Sequence, residues 1–568
     1  MNRKQRRAAE AAAKRAGSAG PRAAELFAAG LAHHQAGRLG EAETHYRAAL
    51  AAQPDYPDAL HLLGVISSQI GRHDVAVDLI GRAIAHGGDH SHFHANLGLA
   101  LAGLRRFEEA LASFERALAA RADYAEALCH RGDTLRQLGR LDAALASYDQ
   151  ALAARPDFAA ALSDRGNVLK AMRRFADALA SYDRALALRP DFCGALSNRA
   201  VTLQALDRLD EALASADRAL AFDPGSIEAL TNRAGALQEL RRFDEARGSY
   251  DRAVALAPDN IDAQINRALL LLLTGDLAHG WPAYEWRRKL ASWDASTFAQ
   301  PEWSGEDIAG KRFLLHAEQG FGDTIQFARY AALAAARGAA VILAVQGSLA
   351  PLFGALPGIT VVAKGDPLPP FDLQCPLLSL PRLFGTTLAT IPGGVPYVAA
   401  SPDRVTAWAP RLPHDGLRVG LAWSGHAANT KDHERSIPFA HLAPLLAVTG
   451  ARFVSLQKDV RAADADALAQ SGNIVDPRAD LRDFADTAAI VAQLDLIITV
   501  DTAVAHLAGA MGKPVWVLLP RTPDFRWLID RDTSPWYPSA RLFRKAGMER
   551  WDAVIARVAA QLAGLAAT

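Results

Sequence analysis

Along the first half of the chain the apolar pattern repeats every 34 residues, and its fixed points are small side chains. Ala42, Ala76, Ala110, Ala144, Ala178, Ala212 and Ala246 fall on one grid, with Tyr46, Phe114, Tyr148, Tyr182 and Tyr250 four residues later. An early glycine marks the units at Gly30, Gly64, Gly98, Gly132 and Gly166, and Pro54, Pro156, Pro190, Pro224 and Pro258 close units on the same spacing. Small residues let two antiparallel helices approach, an aromatic fills the next layer, and proline ends the second helix. The pattern predicts seven helix pairs over about 23–260 and a degenerate eighth to about 294.

One polar position of the first helices carries Leu62, Asn96, His130, Asp164, Asn198, Asn232 and Asn266, and the next carries Arg131, Arg165, Arg199, Arg233 and Arg267. An asparagine offers both a donor and an acceptor, so Asn96, Asn198, Asn232 and Asn266 could clamp an extended peptide backbone. The alternative is a polar face kept for solubility and capping. The units resemble tetratricopeptide repeats.

The 34-residue register breaks near residue 276, where Trp281, Trp286, Trp293 and Trp303 cluster. These are expected to pack the last repeat onto the next domain, with a ligand platform as the alternative. Beyond residue 311 short apolar runs alternate with helical stretches. "RFLLHA", "AAVILAVQ", "GITVVAKG" and "FDLQCPLLSL" come first, then a Pro/Gly/Ser-rich linker over 393–414. "LRVGLAWSG", "RFVSLQ", "NIVDP", "LDLIITVD" and "PVWVLLP" follow, with helices expected near 438–449, 461–470, 483–493 and 502–511. This alternation predicts parallel sheets covered on both faces, in two Rossmann-like lobes with a cleft between them.

Formal net charge is zero, which gives no case for nucleic acid or a membrane surface. Cys129, Cys193 and Cys375 lack metal spacing and fit a reduced compartment. The basic stretch "MNRKQRRAAEAAAKRAG" has no apolar core, so residues 1–22 read as a frayed or disordered tail rather than a secretory signal. With no run long enough to span a bilayer, a cytoplasmic location is expected.

Three candidate sites fall at C-terminal strand ends, where such sheets bind ligands. In "HAEQGFGDTIQF", Gly320 and Gly322 permit a tight turn after Gln319, and Asp323 opens a helix as a cap or a general base. His316 and Glu318 beside it favour something polar binding there. In "AWSGHAANTKDHERSIP", Ser424, Gly425, His426, Asn429, Lys431, His433 and Arg435 gather cation and amide that suit a diphosphate, or form a solvated loop. In "ITVDTAVAHLAGAMGKP", Asp501 and Thr502 cap a helix N-terminus that favours an anion, and His506 shares a face with Thr502. After the next strand, "PRTPDFRW" adds Arg521, Asp524, Arg526 and Trp527.

With these motifs in hand, residues 311–545 resemble the GT-B glycosyltransferases of the heptosyltransferase type, glycosyltransferase family 9. "GFGDTIQF" is similar to that family's glycine–aspartate motif and "DTAVAHLAGAMGKPVWVLL" to its nucleotide-sugar motif. The layout is also similar to repeat-bearing O-GlcNAc transferases. The resemblance implies an N-terminal lobe at 295–400 and a nucleotide-sugar lobe at 401–568, after a repeat superhelix at 23–294. It implies Asp323 as catalytic base, with Lys431 and Arg435 near the diphosphate. Asp501, Thr502, Ala503 and His506 would contact the nucleotide-sugar, and the donor loop would include Ser424 and Gly425. Where the family usually carries glycine this chain has Ala503, so the resemblance does not name heptose as the donor.

No cofactor and no metal are expected, because helix dipoles and cations can carry the leaving charge. The Asp-x-Asp pairs Asp464/Asp466 and Asp530/Asp532 lie in a helix and an Arg-rich loop. The expected function is a metal-independent glycosyltransferase acting on a protein held by the repeats, such as a bacterial surface or flagellar protein. One alternative is an interaction scaffold with an inactive transferase-like domain. Another is a glycan acceptor, with the repeats left for homo-oligomerisation.

Overall fold

The computed structural model describes residues 20–87, 90–290, 293, 298–354, 356–426, 432–547 and 549–567. The chain forms two compact units, Met1–Asn232 and Arg233–Thr568, parting within helix Ile227–Glu239.

The first unit is an α-solenoid of helix pairs, beginning with Pro21–Gln35 and Leu39–Ala52. The 34-residue grid has a direct steric cause. A Cβ on Gly166 would lie 2.5 Å from the Tyr182 ring, and one on Gly132 would lie 2.8 Å from Tyr148. The first helix therefore presses its backbone onto the aromatic of the second, while the grid alanines are fully buried. The arginine row staples the same helix pairs: Arg131 Nε donates to Ser147 Oγ at 2.9 Å, and Arg165 Nη1 to Ser181 Oγ at 2.7 Å.

His61 is nearly sealed in this unit, stacked on Phe93 at 4.2 Å and accepting a hydrogen bond from Asn96 Nδ2 at 2.8 Å. Burial, aided by His92, His90 and His34, pushes its pKa from 6.5 down to about 3. The unfolded chain therefore takes up this proton first as pH falls, so stability is lost from pH 6.5 downward toward 3. From pH 7 to pH 5 the loss is about 2 kcal/mol. Hydrogen exchange in helices Pro57–Gln69 and Ser91–Gly103, corrected for intrinsic rates, should lose that much protection in the wild type and much less in His61→Gln. Equal loss in both proteins would mean that His61 does not carry the effect.

The second unit continues with helices Phe243–Leu256, Ile261–Leu273 and Leu277–Tyr284 before the α/β region. Two all-parallel sheets follow. The first holds β1 (Arg312–His316), β2 (Ala340–Val345), β3 (Ile359–Ala363) and β4 (Leu373–Pro376) in the order β3-β2-β1-β4. The second holds β5 (Leu417–Ala422), β6 (Ala451–Ser455), β7 (Ile474–Val475), β8 (Leu496–Val500), β9 (Val515–Leu519) and β10 (Ala540–Arg544). Its order is β10-β9-β8-β5-β6-β7. This is the two-lobed α/β arrangement expected of a GT-B fold.

Two local readings change. The helix expected near 438–449 is a 3-10 turn, Phe439–Leu442, and one short helix, Ala443–Leu446, because Pro438 and Pro444 interrupt it. Strand β10 and the C-terminal helix Trp551–Ala566 complete the second lobe beyond the expected elements.

Trp281 and Trp303 are buried, as expected of packing residues. Trp281 makes edge contacts with Phe327, Phe525 and Trp536, and Trp303 packs on Phe313 and Phe384. Helix Leu277–Tyr284 thus shares one hydrophobic core with both lobes. Among the described residues no helix is long and apolar enough to cross a membrane.

Candidate active site

In the first sheet the strand order reverses between β1 and β4, and in the second between β5 and β8. Loops leaving neighbouring strands diverge at such a point and open a crevice beyond the carboxyl ends. Gln319 and Gly320 follow β1, Ser424 and Gly425 follow β5, and Asp501 and Thr502 follow β8. All three candidate motifs therefore border these crevices.

On the first lobe, Gly320 starts helix Phe321–Phe327 and donates its N–H to Asp323 Oδ2 at 3.0 Å. Gln319 Nε2 lies 3.5 Å from the Tyr284 hydroxyl, and its carbonyl accepts from Gln346 Nε2 at 2.7 Å. Gly322 faces the other lobe: a Cβ there would sit 2.7 Å from His506 Cδ2 and 3.7 Å from Ala503 Cα. The glycine-rich start of helix Phe321–Phe327 meets the start of helix Ala503–Ala510 because no side chain on Gly322 separates them. Gly322→Ala should cost about 1–3 kcal/mol by overpacking, since Trp527 and Tyr537 hold the His506 ring. Urea denaturation checks this, and an unchanged midpoint would show that the lobes separate freely at this contact.

On the second lobe, Thr502 opens helix Ala503–Ala510. The expected side-chain cap is not formed: Thr502 Oγ1 pairs with Thr499 Oγ1 at 3.1 Å instead. The Asp501 carbonyl accepts from Arg435 Nη1 at 2.9 Å, while Asp501 Oδ1 lies 3.9 Å from His506 Nε2. His506 Nδ1 is 3.0 Å from the Tyr537 hydroxyl, and its ring stacks on Trp527. Burial and Arg526 push the His506 pKa down to about 3, so it is neutral near pH 7. Burial and Asp524 push the Asp501 carboxyl up to about 6, with Arg435 opposing.

Arg435 also closes on the β5 loop. A Cβ on Gly425 would meet the Arg435 guanidinium at 2.6 Å, so the glycine lets arginine reach between β5 and β8. Gly425 N–H donates to Ser436 Oγ at 3.0 Å, and Ser424 N–H to Gln457 Oε1 at 3.1 Å. Lys431 and Asn429 lie outside the described residues.

The centre of the site is an ion pair that joins the lobes. Arg526, after β9, pairs with Asp323 and donates to Asp524 Oδ1 at 2.6 Å through Nη1. Burial raises the Asp323 pKa and Asp524 adds to this, with Arg526 pulling the other way. Among the described residues, buried polar atoms here with no hydrogen-bond partner include Ser424 Oγ, Thr522 Oγ1, Arg526 Nε and Arg435 Nε, the last 3.6 Å from Asp432 Oδ1. They belong to the loops after β5 and β9, on either side of β8. Buried donors rarely stay unsatisfied.

Other expectations resolve differently. Glu318 is buried and bonded within the chain: Arg287 Nη2 donates to its Oε1 at 2.9 Å, and so does the Leu378 N–H at 3.1 Å. His316 is buried against Gln374 at 3.0 Å. Asp464 accepts from Trp423 Nε1 at 3.1 Å and from the Phe439 N–H at 2.9 Å. Among the described residues, the donor trio spaced for a metal is Cys129, Asp133 and Asp164, in the repeats.

In the repeats, the asparagines make bonds within the array. Asn198 Nδ2 donates to the Gly194 carbonyl at 3.0 Å, and Asn232 Nδ2 to the Ser197 carbonyl at 3.2 Å. Asn96 bonds His61 as described, and Asn266 is half-buried at the matching position. Sequence reasoning missed Arg287 altogether, and it placed Arg526 at a strand end without its partner Asp323. Their cross-domain partners Glu318 and Asp323 are distant in sequence, and the signal at Arg287 was only an arginine beside an aromatic run.

Comparison with known proteins agrees with this layout. Residues 33–99, 91–124, 132–172, 163–227 and 227–260 match tetratricopeptide repeat families. Residues 435–550 match glycosyltransferase family 9 (heptosyltransferase), a stretch that includes Arg435, Asp501, His506 and Arg526. Protein FlbA of Caulobacter vibrioides is 32% identical over 329 residues, covering 53% of this chain and 55% of that protein. The chain thus spans about half the length of the curated relative it matches. Among solved structures, a tetratricopeptide repeat protein from Parabacteroides merdae is 17% identical with a TM-score of 0.37, covering 44% of this chain and 100% of that one. A thermophilic repeat protein of Thermus thermophilus is 27% identical with a TM-score of 0.29, covering 32% and 100%. The chain thus joins stretches similar to tetratricopeptide repeats to a C-terminal stretch similar to glycosyltransferase family 9.

Proposed function

We propose that the protein transfers a sugar from a nucleotide-sugar to an acceptor recruited by the repeats, most simply a protein segment. The observation that carries this reading is the set of buried donors without hydrogen-bond partners in the loops after β5 and β9, flanking the helix start after β8 that has no side-chain cap. A diphosphate offers the many acceptor oxygens that such a set can satisfy. Arg435, Arg526 and the start of helix Ala503–Ala510 supply positive charge, so the leaving group needs no metal in this scheme. Lys431 would add to it from the β5 loop. His506 is a neutral hydrogen-bonding group beside the sugar, and Ala503 limits how closely the donor approaches.

In the reaction, Asp323 removes the proton of an acceptor hydroxyl. That oxygen bonds to the anomeric carbon as the bond from this carbon to the diphosphate oxygen breaks. The nucleoside diphosphate leaves with the electron pair. Residues 295–400 form the acceptor-side lobe and 401–568 the donor lobe. Asn96, Asn198, Asn232 and Asn266 have further hydrogen-bonding capacity for a peptide backbone.

The test is a panel of nucleotide-sugars screened for binding and hydrolysis, followed by a search for a sugar mass increment on co-expressed proteins. Release of nucleoside diphosphate coupled to a mass increment supports the reading. Absence of binding across the panel would favour a scaffold with an inactive transferase-like domain.

A further inference from the structure

Arg526 is more than nine-tenths buried and holds three different relations at once. Its Nη1 donates to Asp524, its Nη2 pairs with Asp323, and its Nε, equally buried, has no partner. The guanidinium lies 4.3 Å from the Phe525 ring centroid, which steadies its plane. Asp524 anchors it from its own loop, so Asp323 is the partner contributed by the opposite lobe. The charged and titratable groups around this pair are Asp524 on the β9 loop, Tyr284 on helix Leu277–Tyr284, His506 on helix Ala503–Ala510 and Asp501 at the end of β8.

We propose that Arg526 is shared between base and donor: in the free protein it neutralises Asp323, and an incoming diphosphate draws it away. The inference rests on the reading of the cleft as a nucleoside-diphosphate site. A fork of donors with one member unused accepts a third anion without losing its anchor on Asp524. The diphosphate carries more negative charge than one carboxylate and so competes for the same guanidinium. Asp323 loses its cation when this happens and becomes the stronger base. The base is therefore masked until a donor is in place, which orders the reaction with donor first and acceptor second. It also keeps Asp323 from activating water in an empty cleft.

The experiment is a double-mutant cycle on binding of ADP, GDP, UDP and CDP, measured by calorimetry on the full chain. Whichever of the four binds most tightly serves as the probe. Asp323→Asn removes the competitor for Arg526, so the probe should bind about fivefold tighter or more. Arg526→Met should weaken binding by about tenfold. In the Arg526→Met background, adding Asp323→Asn should change affinity by less than about twofold. Where Arg526→Met loses its folded far-UV signal, Arg526→Gln replaces it with the same expectations. Unchanged or weaker binding in Asp323→Asn overturns the proposal. So does a tightening that persists without Arg526, which would be simple removal of a like charge. If none of the four binds the wild type, the nucleotide-sugar reading itself falls and this inference with it.

Discussion

Replacing Arg287 with methionine should cost about 3–5 kcal/mol of stability, the range for breaking a buried ion pair from one side. Arg287 and Glu318 are each about 1% exposed in their side chains. The guanidinium donates to Glu285 Oε1 at 2.7 Å, to Glu318 Oε1 at 2.9 Å and to Ser379 Oγ at 2.9 Å. It therefore ties the turn Glu285–Lys289 to the loops after β1 and β4. Burial already pushes the Glu318 carboxyl up to about 7 despite this cation, and Glu285 adds to the push. Without Arg287 the carboxylate has no counter-charge and no water, and it must take a proton or open the loop. Methionine keeps most of the volume, so the loss measures charge rather than a cavity. Guanidinium denaturation followed by tryptophan fluorescence reads it directly. Adding Glu318→Gln should recover more than half of the loss, because the uncompensated charge is then gone. A loss under about 1 kcal/mol in the single variant would show that water reaches this cluster.

Asp323→Asn should lower the transfer rate by about 10²–10⁴, the range for losing a general base. Asparagine keeps the shape and can still face Gly320 and Arg526, so folding should survive. The carboxyl pKa lies above its ordinary value because burial disfavours the charge. The wild-type rate should therefore rise with pH through that raised value, and the asparagine variant should lose this limb. Single-turnover rates at saturating donor across pH 5–8 separate this from a binding effect. A variant within about threefold of wild type at every pH would remove Asp323 as base.

The repeat array was readable in detail because its cause is local and periodic. One glycine–aromatic contact per unit, as between Gly166 and Tyr182, imposes a fixed spacing that the chain displays directly. Strands β1 to β9 were readable as short apolar runs, which strands such as β8 and β9 form because both of their faces are buried. Strand β10, "ARLFR", alternates arginine with apolar residues and lacks that signature. The switch-point loops could be placed on strand ends, but the pairings within them could not. Asp323 and Arg526 lie 203 positions apart, and Arg287 and Glu318 lie 31 apart across a change of domain pattern. Glu318 shows the consequence. It stands beside the turn Gly320–Asp323 in sequence, yet its carboxylate is buried, and only the position of Arg287 reveals its partner.

The central claim is that a nucleoside diphosphate lies between the ends of β5, β8 and β9. Hydrogen–deuterium exchange of the full chain with and without the tightest-binding of ADP, GDP, UDP and CDP tests it most directly. Slowed exchange is expected in peptides covering 423–426, 500–510 and 520–528, with the helices of 21–222 unchanged. Slowing confined to the repeats, or binding that leaves all three loops unprotected, would contradict it.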